Sequence, residues 1–80
     1  MILYGYCIIV TINFKISDND DVKLKIFNTD GREVATLLNE KLIQGKYEIK
    51  WDAGNFPDGI YFYRLETGSF AESGKLVLLR

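Results

Sequence analysis

Several groups of side chains in this sequence have types and spacings that could do chemistry. Asp18, Asp20 and Asp21 crowd carboxylates into the stretch SDNDD, and clustered carboxylate oxygens suit a hard cation such as calcium. Asp52, Asn55 and Asp58 repeat the theme in DAGNFPDG. Neither set is complete, because calcium needs about six to eight converging oxygens and a calcium loop adds a glycine and a distal glutamate at fixed offsets. Asp52, Asn55 and Asp58 are weak metal candidates on this reading, and solvated turns account for both clusters more simply. In FNTDGREVATL, Asp30, Arg32 and Glu33 surround Gly31. Paired carboxylates such as Glu33 and Glu40 carry no partner logic for glycoside chemistry. Tyr47, Trp51, Phe56, Tyr61, Phe62 and Tyr63 would stack on sugar rings if exposed, but on alternating strands each would instead bury roughly 150–250 Å² in a core.

Composition narrows the options further. The 80 residues contain no histidine and one cysteine, Cys7. That removes the usual zinc sites, Cys–His nucleophile pairs, histidine general bases and any intramolecular disulfide. With no nucleophile motif and no phosphate loop, the expectation is a non-enzymatic protein with no cofactor. Ten basic and eleven acidic residues give a net charge of −1, so no basic stripe exists to neutralise phosphates and no nucleic-acid partner is expected. A chain this short buries only about 60–65% of the surface it exposes when unfolded. Its 48% hydrophobic and 14% aromatic content is nonetheless ample for one core.

The elements that must position these residues read as strands. MILYGYCIIVTINF is too short to span a bilayer, which takes about 20 apolar residues. It also lacks the basic region and cleavage site of a secretory signal, so neither a transmembrane segment nor a signal peptide is visible. Within it, Ile12, Phe14 and Ile16 alternate with Thr11, Asn13 and Lys15, which is strand grammar. Val22, Leu24 and Ile26 alternate with Lys23, Lys25 and Phe27 in the next strand. Asp30 and Gly31 then make a hairpin reversal, because glycine accepts the positive φ that such a turn demands, and Arg32 and Glu33 sit in solvent. A strand follows over 33–38, and Asn39 to Gly45 is expected to be a loop crossing to the other sheet. Tyr47, Ile49 and Trp51 alternate with Lys46, Glu48 and Lys50. GIYFYRLET is apolar on both faces, which predicts a central or covered strand. Phe70 to Leu79 is the last strand, with an interruption expected near Ser73-Gly74. Six strands at short spacing, without a helix or an internal repeat, predict an all-β fold: a small antiparallel immunoglobulin-like sandwich of about six to seven strands.

Taken in order, Val22-Lys23-Leu24, Asp30-Gly31-Arg32-Glu33-Val34, Gly45-Lys46-Tyr47, Trp51-Asp52, Gly59-Ile60-Tyr61-Phe62-Tyr63-Arg64-Leu65 and Lys75-Leu76-Val77-Leu78-Leu79 make a family pattern. From Ile12 to Arg80 the chain resembles the C-terminal sorting domains, type A, of the type IX (Por) secretion system. It is also similar to the immunoglobulin-like domain of the flagellar hook-capping protein. The first resemblance implies a module without chemistry, ending a secreted protein and recognised by an outer-membrane translocon and its sorting and attachment machinery. It implies a cargo domain upstream and a final location at the bacterial outer-membrane surface. It also implies that Gly59, Tyr61 and the terminal strand Lys75, Leu76, Val77, Leu78 and Leu79 belong to the recognised region. The departure lies at the front, where MILYGYCIIV replaces the Asn-Pro-rich opening usual in that family. Residues 1–11 are therefore expected to be an atypical leader or altered start, residues 12–80 the sorting-type domain, and the chain a fragment of a longer reading frame. An adhesion or carbohydrate-binding sandwich and a hook-cap structural domain stay open as alternatives.

Overall fold

Val22, Leu24 and Ile26 fall on one side of an extended chain because successive side chains point to opposite faces, and all three are completely buried. Their strand is the spine of the fold. The computed structural model describes residues 9–79, which form six strands. They are β1 (Ile9–Ile16), β2 (Asp20–Phe27), β3 (Glu33–Leu42), β4 (Gly45–Asp52), β5 (Gly59–Thr67) and β6 (Ala71–Leu78). Residues 1–8, most of the expected leader, lie outside the described residues, as does Arg80. Residues 9–11 belong to β1, where Ile9 pairs with Asp52, Val10 with Trp51 and Thr11 with Lys50.

All pairings are antiparallel, and the strands divide into two sheets, β1-β4 and β3-β2-β5-β6. The chain is thus a small antiparallel β-sandwich. In immunoglobulin lettering, β1 and β4 take the places of B and E, while β3, β2, β5 and β6 take those of C′, C, F and G. Between the sheets lie Ile12, Ile16, Val22, Leu24, Ile26, Leu42, Trp51, Ala53, Tyr61, Leu65 and Leu78. Each fully buried aliphatic side chain stabilises the fold by about 1.5–3 kcal/mol relative to exposure. The two-stranded sheet is narrower than the four-stranded one. Val34, Leu37 and Leu38 on β3, and Leu76 on β6, are accordingly only partly buried against that core.

Two expectations need correction. The stretch 39–42 is strand rather than loop: Asn39 pairs with Lys23, Glu40 with Val22, Lys41 with Asp21 and Leu42 with Asp20. Leu42 reaches the core at 9% exposure, and that burial carries β3 four residues past Leu38, through the polar run that looked like its end. Two register shifts against β2, at Leu24/Lys25 and Ile26/Phe27, absorb the irregular spacing of apolar residues in β3. Likewise β6 runs without interruption through Ser73 and Gly74. Gly74 sits opposite Tyr63, whose ring occupies the space a Cβ there would need. As its two-sided apolar pattern predicted, β5 is central by hydrogen bonding, between β2 and β6, although among the described residues only its inner face is covered. Ile60 and Phe62 on its outer face are 42% and 39% exposed.

The β2–β3 hairpin is a three-residue loop. Asn28 N–H donates to the Arg32 carbonyl at 2.9 Å and Gly31 N–H to the Asn28 carbonyl at 3.0 Å. Gly31 takes φ +81, so Thr29 and Asp30 form the centre of the turn and Gly31 makes the left-handed exit typical of such loops. The Asn28 side-chain oxygen accepts from Asp30 N–H at 2.9 Å and from Arg32 N–H at 3.0 Å, which holds the loop from inside. Beyond it, Glu33 accepts from the Thr36 hydroxyl at 2.6 Å and pairs with Lys25 at 3.4 Å. The Thr36 hydrogen bond first, and Lys25 after it, hold the Glu33 carboxyl below its ordinary pKa. With a lowered folded-state pKa, that contribution is present above the unfolded value and is lost as pH falls through the folded one.

Gly31→Val should lower stability by about 1–2 kcal/mol, the cost of a β-branched side chain at positive φ. Gly31→Asn should lose clearly less. Equal urea midpoints for wild type and Gly31→Val would refute this turn.

Candidate functional site

Gly-x-Tyr occurs twice in this chain, as Gly45-Lys46-Tyr47 and as Gly59-Ile60-Tyr61, and the two copies have the same local geometry. Gly45 has φ +151 and Gly59 φ +148, values that residues with a Cβ rarely adopt. Each glycine is the first residue of its strand, β4 or β5. Two residues on, each tyrosine turns back over the preceding crossing. Tyr47 Oη donates to the Ile43 carbonyl at 2.6 Å, and Tyr61 Oη donates to the Pro57 carbonyl at 2.7 Å. Both acceptors lie four residues upstream. The second copy occupies the position of the tyrosine corner of immunoglobulin-like sandwiches, at the start of the F-equivalent strand. A short element therefore does recur, although no longer repeat exists. Its signal was in the spacing alone: a glycine, one residue, then a tyrosine, directly after a turn.

The two corners differ in depth. Tyr61 is 6% exposed and joins an aromatic cluster, its ring centroid 5.7 Å from Trp51 and 6.3 Å from Phe56, with Trp51 and Phe56 5.0 Å apart. All three contacts are edge-to-face, the arrangement that ring quadrupoles favour. Tyr47 stacks on Phe14 at 5.6 Å near the rim of the sandwich. The aromatic residues thus form core rather than an exposed strip, and Trp51, at 4% exposure, has no free face for a sugar. Phe62 alone of the six aromatic candidates is exposed, and it points away from the other five, on the outer face of β5.

The acidic clusters are engaged in fastening turns. Asp20 accepts from Asp21 N–H at 2.8 Å, from Gly68 N–H at 3.0 Å and from Ser69 Oγ at 3.1 Å. It thereby ties the β1–β2 connection to the β5–β6 turn. Asn19 accepts from Gln44 N–H at 2.9 Å, which ties the same connection to the β3–β4 turn. In the other cluster, Asp52 accepts from Gly54 N–H at 3.0 Å, a local turn of the kind Asp favours. No group of three or more His, Cys, Asp or Glu side chains with metal-holding geometry occurs among the described residues.

The residues singled out as a recognised region divide by burial. Gly59 and Tyr61 belong to the corner, Leu78 is 1% exposed, and Leu76 packs partly against the core. Lys75 is exposed, Val77 is 55% exposed and Leu79, just beyond β6, is 78% exposed. Register brings further residues to the exposed members: Phe62 pairs with both Lys75 and Phe27, and Ile60 with Val77. Phe62 entered the sequence analysis only as a stacking candidate, and Ile60 and Phe27 carried no functional signal: Ile60, on a two-sided apolar strand, reads as core, and Phe27 is a single apolar residue in line with Lys23 and Lys25.

The family of secretion system C-terminal sorting domains matches this chain over residues 8–79. No curated protein and no solved structure matches it.

Tyr61→Phe should cost about 1–3 kcal/mol, since it leaves a part-buried carbonyl without its donor. Tyr47→Phe, at an exposed bond, should cost less than about 1 kcal/mol. Chemical denaturation of the two variants would test this ranking, and a reversed order would refute the assignment of Tyr61 as the principal latch.

Proposed function

The chain belongs to the family of secretion system C-terminal sorting domains, and from that premise we propose that it directs an attached cargo through the type IX outer-membrane translocon to the cell surface. As a sorting signal of type IX secretion it is part of an exported protein. No helix among the described residues is long and apolar enough to cross a membrane. The cargo is covalently joined upstream, and the domain itself contributes recognition, not catalysis. The observation that carries this reading is the extent of the family match, which runs through all six strands.

The geometry supports a division of labour within the recognised region. Gly59 and Tyr61 act by shaping the domain, since the tyrosine hydroxyl is committed to Pro57. Leu76 and Leu78 anchor β6 to the core. Lys75, Val77 and Leu79 are left for the machinery to touch. The carbohydrate-binding alternative loses its platform with Trp51 and Tyr61 inside the core. The hook-cap alternative shares the sandwich and has only resemblance behind it.

A reporter carrying a signal peptide, followed by this chain at its C-terminus, should reach the medium or the cell surface of a type IX-secreting bacterium. The same fusion should stay in the periplasm of a translocon-deficient strain. Periplasmic retention in both strains would overturn the sorting reading.

A further inference from the structure

The outer face of the four-stranded sheet is divided into two unlike halves. Toward one end, Lys25 stands beside Arg64 and Lys23 beside Glu66, and the charges largely compensate one another. Lys25 pairs with Glu33 at 3.4 Å and Arg64 with Glu66 at 3.0 Å. Toward the other end, Phe27, Phe62, Ile60 and Val77 are cross-strand or same-face neighbours on β2, β5 and β6. Ile60 and Phe62 are 42% and 39% exposed and Val77 is 55% exposed. Of the other exposed large apolar residues, Ile43 and Phe70 occur singly in turns, Ile9 opens β1 and Leu79 directly follows β6, and single exposed apolar residues need no explanation. Lys75 lies within the apolar half, paired across the sheet with Phe62, and it enters none of the ion pairs found among the described residues.

We infer that Phe27, Ile60, Phe62 and Val77, with Lys75 among them, form the docking surface for a protein of the export machinery whose own contact face is apolar and carries a carboxylate opposite Lys75. The inference rests on the sorting function proposed above and names the surface that sorting uses. Charge complementarity selects the partner. An ammonium that enters none of those ion pairs, with Phe62 across the sheet and Val77 beside it on the same face of β6, is completed by one carboxylate held in an apolar surround, where the pair is partly desolvated and fixes the register of docking. A membrane surface is the poorer match, because anionic lipid is held by clusters of about four to eight basic residues. This half of the face offers one.

The side chains of the apolar face lie outside the core cluster, so variants there spare the core. In the reporter fusion, Val77→Asp and Phe62→Asp should each reduce export roughly tenfold or more, the loss expected when a central contact is destroyed. Lys75→Glu should do the same, while Lys75→Arg should retain export. Asn13→Asp, on the outer face of the other sheet, is the control and should export as wild type. Thermal unfolding of each purified chain verifies the fold. A photo-crosslinking amino acid at position 77, but not at position 13, should capture a type IX component in the exporting strain. If the wild-type fusion is exported and folded Val77→Asp, Phe62→Asp and Lys75→Glu are exported equally well, this docking surface is refuted while the sorting function stands. If the wild-type fusion is not exported, the sorting function itself has failed. Binding of the purified chain to phosphatidylglycerol vesicles that is abolished by Val77→Asp would overturn the protein partner in favour of a lipid surface.

Discussion

Every crossing between the two sheets is held by a side chain that bonds to backbone, and the sandwich depends on those bonds. The chain changes sheets three times, after β1, β3 and β4. With one cysteine in the sequence, no internal disulfide can secure any of them. Each crossing strips backbone groups of ladder partners, and such groups are costly to leave unpaired. Tyr61 supplies a donor for the Pro57 carbonyl after β4, and Tyr47 one for the Ile43 carbonyl after β3. After β1, Asn19 and Asp20 accept from the backbone of Gln44 and of Gly68. The bonds are individually modest, about 0.5–1.5 kcal/mol net, but their placement decides which faces of the strands meet.

The glycine of each Gly-x-Tyr element belongs to the same constraint. For the tyrosine to reach back four residues, the chain must turn sharply into its strand, and Gly45 and Gly59 make that turn at φ +151 and +148. The ring then continues inward. At Tyr61 it meets Trp51 and Phe56, so one side chain satisfies a loop carbonyl and fills the gap between sheets. This explains why Trp51 is buried although its sheet has only two strands. The cluster supplies at the end of β4 the apolar area that a wider sheet would have supplied along its length.

Where one face of a strand meets the core and the other meets water, the pattern was legible from the sequence. β1, β2 and β4 follow their alternation, with Ile12, Ile16, Val22, Leu24, Ile26 and Trp51 inside. The end of β3 was obscured because Asn39, Glu40 and Lys41 read as loop, whereas partnership with the central strand β2 holds them in the ladder. Gly74 looked like an interruption in β6, since sequence does not show that a ring from the neighbouring strand fills its place. The grip of Asn28 on two backbone donors shows only in the folded turn. The outer residues of β5 were the hardest. Ile60 and Phe62 have the composition of buried positions, and only the sheet order shows that nothing among the described residues covers them.

That ambiguity bears on how a recognition signal can be written in a domain this small. A core of this size can spare few apolar residues, so signal and fold compete for the same side chains. β5 and β6 meet the competition through the pleat. Tyr61, Leu65 and Leu78 face inward and hold the sandwich, while Phe62, Ile60 and Val77 use the alternate positions of the same two strands. A one-residue slip would exchange the two sets and destroy both at once. Gly59, locked by its φ at the entrance to β5, and Gly74, locked beneath the Tyr63 ring, hold that register at the start of β5 and midway along β6. The glycines and the Tyr61 corner therefore bear on the proposed docking surface without belonging to it: they keep the outward set outward.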